Sequence, residues 1–202
     1  MAMMTPRMAG ASAIAFLFTI SMVAAQAPAS VRVRATIAIV EGGTLTAKAR
    51  DGTEIKIKLA DNAPVNEVVK APLSDIKEGS YLAITASPQP DGSQNAMAIL
   101  IFPPSVHPPE GFSNWDLPNS TMTNATVASQ AAGVDGQTLT VTYKDGEKKI
   151  IVPPNAEIIT YKKASMADLK PGQKIFIFAA KKLSDGTLEA PNISFGDYGV
   201  WR

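Results

Sequence analysis

The chain has no cysteine and a single histidine, His107, in 202 residues. The missing thiol excludes a disulfide scaffold, a lipid-modified cysteine, a thiolate metal site and a thiol nucleophile. With one imidazole, set in a proline-rich stretch, the base that a hydrolytic triad needs beside its nucleophile is absent from any promising context. Charge of one sign is missing too, with 19 basic against 18 acidic side chains. Arg7 is the only charged residue among the first 25, so the remainder carries 18 of each sign and a formal charge of 0. Nucleic acid and anionic membrane surfaces need a basic footprint and are not expected as main partners. Aromatics make up 6% of the chain and tryptophan occurs twice, at Trp115 and Trp201. Beyond residue 25 no apolar run approaches the ~20 residues of a membrane-spanning helix.

Residues 1–25 read as a cleavable secretory signal: Arg7 in the leading region, an apolar stretch from Ala11 to Ala25, and Val23-Ala24-Ala25 as the small-x-small site, with Gln26 as the new N-terminus. An uncleaved anchor is the alternative, disfavoured by the shortness of the stretch. The expected location is the periplasm or the exterior, with no membrane span in the mature chain.

The mature chain repeats itself. Leu45 and Asp51-Gly52 recur 94 residues on as Leu139 and Asp145-Gly146, and Asp91-Gly92, Ala96 and Ile99 as Asp185-Gly186, Ala190 and Ile193. Between them, Asn62-Ala63, Lys70-Ala71 and Asp75-Ile76-Lys77 with Gly79 recur 93 residues on as Asn155-Ala156, Lys163-Ala164 and Asp168-Leu169-Lys170 with Gly172. A repeat this long exceeds a solenoid unit, so each copy is expected to be a small domain with its own core.

Within each copy, apolar residues alternate with polar ones. Val31, Val33, Ala35, Ile37 and Ile39 mark a first strand, Leu45, Ala47 and Ala49 a second, and Ile55, Ile57 and Leu59 a third, with Asp51-Gly52 as the hairpin turn between the last two. Residues 63–77 lack alternation, and Pro72 to Ile76 reads as a short helical turn. Leu82, Ile84 and Ala86 resume the strand period, Asp91-Gly92 turns, and 94–102 forms the last strand. The second copy gives strands near 124–131, 138–144, 147–152, 174–180 and 187–195, with Met166 to Leu169 in the helical slot. Five strands with a helical turn between the third and fourth is the plan of an OB-like β-barrel. A plain five-stranded open barrel shares the pattern. The expectation is therefore an all-β chain: signal 1–25, first OB-like barrel 26–102, proline-rich linker 103–120 and second OB-like barrel 121–202, the two barrels being tandem products of an internal duplication.

Prolines 103, 104, 108, 109 and 118 favour an extended linker. It also holds His107, Phe112 and Trp115, and aromatics in such a segment are expected to rest on a neighbouring surface. In the fourth strands, Tyr81, Ala83 and Thr85 correspond to Lys174, Phe176 and Phe178. Leu82 and Ile84, like Ile175 and Ile177, belong to the inner face. Phe176 and Phe178 therefore project outward, where either the other barrel or the linker aromatics cover them, making a fixed two-domain unit, or a ligand or partner does. The candidate binding residues are Phe112, Trp115, Phe176 and Phe178, with Trp201 in the C-terminal run as a further anchor that either folds back or docks onto an envelope partner.

Asp51, Asp91, Asp145 and Asp185 each precede glycine without a calcium-loop spacing of acids, so they read as turn residues. No metal site, cofactor or catalytic group is expected, and the acidic residues give no sign of converging.

The motifs Gly-x-Thr-Leu-Thr, Asp-Gly, Asp-Leu-Lys-x-Gly and Asp-Gly-x-x-x-Ala, together with the run from Trp115 to Val127, resemble an uncharacterised bacterial exported domain family. That family is OB-like, occurs singly or in tandem, and includes small alphaproteobacterial secreted proteins; the resemblance covers about residues 31 to 196. It implies no established activity. Some relatives carry a metal-transporter permease label, from which this chain departs because a permease needs several spanning helices. The combined expectation is a non-enzymatic periplasmic or secreted module that binds an unknown protein or small ligand of the cell envelope. The alternatives are a structural envelope protein without a small ligand and a periplasmic accessory of a metal transport system.

Overall fold

The computed structural model describes residues 30–133 and 136–196. The expected signal peptide and the C-terminal run containing Trp201 lie outside the described residues.

Strands β1 (Ser30–Glu41), β2 (Thr44–Ala49) and β3 (Glu54–Leu59) form the expected antiparallel meander. In the β2–β3 turn Gly52 takes φ +89, and the Thr53 N–H donates to the Asp51 carboxylate at 2.9 Å. Then come β4 (Val65–Lys70), a 3-10 turn at Leu73–Asp75, β5 (Tyr81–Pro88) and β6 (Gln94–Ile101). A short strand, β7 (Gly111–Asn114), lies in the proline-rich segment and pairs with β8 (Thr121–Gly133). The chain continues through β9 (Gly136–Tyr143), β10 (Gly146–Val152) and β11 (Glu157–Ala164). After a 3-10 turn at Met166–Asp168 follow β12 (Lys174–Lys182), β13 (Leu188–Ala190) and β14 (Ile193–Phe195). The second 3-10 turn is closed by a capping box, in which Ser165 and Asp168 satisfy each other's backbone N–H.

The pairing closes two five-stranded rings. One runs β1, β2, β3, β13 with β14, β12 and back to β1. The other runs β8, β9, β10, β6, β5 and back to β8. The last strand of the first ring is split into β13 and β14 around Pro191, which has no N–H to give a ladder; Met97 stands at the matching place in the unbroken β6.

Each ring takes its meander from one half of the chain and its closing strands from the other. The first core joins Val33, Ile37, Leu45 and Ile57 to Ile175, Ile177, Ala190 and Ile193; the second joins Leu82, Ile84 and Ile99 to Val127, Leu139, Val141 and Ile150. A buried Ile or Leu of this kind contributes about 1.5–3 kcal/mol, so neither core stands on residues 26–102 or on 121–202 alone. The second ring is contiguous in sequence and is inserted between the two parts of the first. Residues 103–120 consequently join β6 to β8 within one ring.

The crossings are made by β4 and β11, which pair antiparallel with each other while β4 pairs with β14 and β11 with β6. Beyond each crossing, one apolar side chain after the 3-10 turn enters the ring ahead: Ile76 the second core, Leu169 the first. Neither β4 nor β11 shows alternation in sequence, because Val68, Leu100 and Ile159 form a third buried cluster on one face while the other face is partly covered. Among the described residues no helix is long and apolar enough to cross a membrane.

Candidate aromatic pocket between the rings

Strand β1 sends Val33, Ala35 and Ile37 inward, which leaves Arg32 and Arg34 on the outer face of the first ring. Its neighbour β12 sends Ile175 and Ile177 inward and Phe176 outward, opposite Arg34 in the ladder. The register then slips: Val33 pairs with Ile177 but Val31 with Ala180, so Phe178 and Ala179 together oppose Arg32. The matching β5–β8 ladder has no such bulge. Bulges re-aim side chains, and this one carries Phe178, which is 56% exposed while Phe176 is 5% exposed.

Outer faces of the two rings meet at a pocket of about 450 Å³. Phe176, Phe178 and Arg32 form its first-ring wall, and Ala83, Met122 and Asn124 the second-ring wall. Asn66, Leu100, Tyr161 and Ser194 make the floor, supplied by the crossing strands and their partners. Val106, Pro108, Pro109 and the stretch from Gly111 to Trp115 form the remaining side. The sequence-nominated Phe112, Trp115, Phe176 and Phe178 thus all line one cavity, although they come from two distant parts of the chain. Trp201 lies outside the described residues.

Residues 103–120 are held to both rings. On the second, the Tyr81 hydroxyl donates to the Pro108 carbonyl at 2.6 Å, His107 stacks on the Tyr81 ring at 3.6 Å, and Asn124 Nδ2 donates to the Pro109 carbonyl. Phe112 lies against Tyr143, with the Lys148 ammonium 4.6 Å from its centroid. On the first ring, Asp116 accepts hydrogen bonds from Arg32 and, bidentately, from Arg34. The Arg32 guanidinium lies 4.0 Å from the Trp115 centroid and 5.1 Å from that of Phe178, and Arg34 lies 5.1 Å from that of Phe176.

Electrostatically the pocket is apolar with a positive corner. Burial pushes the Asp116 carboxyl up, but the hydrogen bonds and charge of Arg34 and Arg32 outweigh it and hold the group below the usual aspartate value. Burial pushes the Tyr161 phenol up, against a hydrogen bond to Ser194. The buried Nε–H of Arg34 and the buried indole N–H of Trp115 find no acceptor among the described residues.

A second, more open depression of about 510 Å³ lies beside β1 and β2, lined by Arg34, Lys48, Arg50 and Lys174. Among the described residues no three acidic or imidazole groups lie close enough to hold a metal ion. Asp51, Asp91 and Asp185 spend their carboxylates on the N–H two residues on, as the turn reading expects, and Asp145 lies in the β9–β10 turn.

Sequence reasoning passed over Arg32, Arg34 and Asp116. The available signal was an acid next to the linker tryptophan, facing two arginines spaced by two on one strand face. Comparison with protein-family models, with curated proteins and with solved structures finds no match.

Proposed function

We propose that the chain is a non-enzymatic, extracytoplasmic binding module whose ligand enters the aromatic pocket between the rings. The observation that carries this reading is Phe178: a large apolar ring, turned outward by a bulge, 56% exposed, and facing a cavity lined by other aromatics. Such an exposed ring adds little to the stability of a monomer, whereas a ligand of drug size is matched by a mostly apolar cavity with a few polar groups on its walls.

Each ring has the order meander, fifth strand, fourth strand, with the third and fifth parallel. That order, together with the repeats at 93 and 94 residues, supports two OB-like barrels from an internal duplication in which the copies have exchanged their closing strands. The resemblance to exported alphaproteobacterial proteins and the signal-like N-terminus support a periplasmic or secreted location. A structural role in the envelope is favoured by one observation, the burial of Phe176.

Native mass spectrometry of the protein isolated from its own host is the test. A species heavier than the mature chain, converted to the bare mass by mild denaturation, is the expected result. A bare chain throughout the preparation would leave the structural role.

A further inference from the structure

Among the described residues, Arg32 is the only charged side chain on the pocket lining. Its guanidinium is held from one side by Trp115, from another by Phe178, and by a single hydrogen bond from Nη1 to Asp116 at 3.0 Å. Asp116, by contrast, is engaged by two groups of Arg34. Two guanidiniums against one carboxylate leave one positive charge, and Lys148 over Phe112 adds a second cation at the far side.

From this we infer that the pocket takes an apolar molecule carrying one carboxylate, with the acid on Arg32 and the apolar body along Phe178 and Phe112 toward Tyr161. The inference rests on the binding reading above and names the ligand class for the same pocket. A carboxylate supplies an acceptor for further N–H groups of the Arg32 guanidinium, which gives one to Asp116, and matches the single unbalanced charge there. Since Arg32 is already fixed by its stacking partners, little side-chain entropy remains to be lost when the acid arrives. A neutral ligand of the same shape would gain the apolar contacts and leave the guanidinium unused.

Calorimetry with two probes that share a chain, dodecanoate and dodecanol, both kept below aggregation, tests the inference. The wild-type protein should bind the acid at least about tenfold more tightly than the alcohol. In Arg32→Gln, which leaves Asp116 paired with Arg34, the acid should lose more affinity than the alcohol, so that the preference falls below about threefold. Arg32→Lys keeps the charge and should retain part of the preference, and thermal melts verify that both variants fold. Equal affinity for acid and alcohol, a preference unaffected by Arg32→Gln, or binding of neither probe would each overturn the carboxylate inference. The mass measurement on host-derived protein decides the binding reading separately, because it does not depend on which ligand class is present.

Discussion

Asp116 binds Arg34 bidentately across the gap between the rings, fastening a proline-rich segment that begins and ends in one ring to the outer face of the other. This contact fixes Trp115, and Trp115 in turn orients Arg32. Replacing Asp116 with alanine leaves two guanidiniums without a counter-charge at a partly exposed site, where the screened cost is about 1 kcal/mol. In a Trp201→Phe background, the emission of Trp115 should shift to the red while the urea midpoint moves only slightly. An unchanged emission maximum would mean that the segment is held by its second-ring contacts alone.

The same carboxylate sets a pH dependence. Its folded value lies below the ordinary one, so its contribution is fully present above about pH 4 and is lost as the pH falls through the lower folded value. Trp115 emission in the single-tryptophan protein should therefore hold steady from pH 7 to about pH 4 and then move in acid. The Asp116→Asn protein should lack this step.

Phe176 and Phe178 sit two residues apart on β12 yet answer to different demands. Phe176→Ser removes a buried ring and should cost about 3–5 kcal/mol, read from chemical denaturation. Phe178→Ser removes an exposed ring with one cation–π contact and should cost no more than about 1 kcal/mol, while weakening whatever occupies the pocket. Equal destabilisation by the two would mean that both rings serve as packing.

A chain cut in the proline-rich segment, between Ser105 and Val106, distinguishes exchanged strands from barrels that each fold on one half. Each ring draws strands from both sides of the cut, so the nicked protein should elute as one particle and separate only under denaturant. Two pieces that part under native conditions would contradict the exchanged pairing.

Much of this fold was legible as strands and turns, because Leu45, Ile57, Leu82 and Ile84 keep a strict two-residue period and the Asp-Gly turns fall between them. Partner choice was not. Alternation records which face of a strand is buried and says nothing about which copy supplies its neighbour, so Ile175 reads the same whether it pairs within its own half or with β1. The crossing strands β4 and β11 were invisible for a different reason: Val65 to Lys70 and Glu157 to Ala164 are partly covered on both faces, which erases the period. The four pocket aromatics were legible as an outward-facing pair and a linker pair in need of cover. The Arg32, Arg34 and Asp116 clamp was not, since its partners are more than 80 residues apart.

The measurement that bears most directly on binding is native mass spectrometry of two proteins prepared side by side from the original host, the wild type and the Phe112→Ala/Phe178→Ser variant. Extra mass should appear on the wild type and vanish from a variant that is still folded by circular dichroism. The same extra mass on both proteins, or a bare chain in each, would contradict the assignment of this pocket as the ligand site.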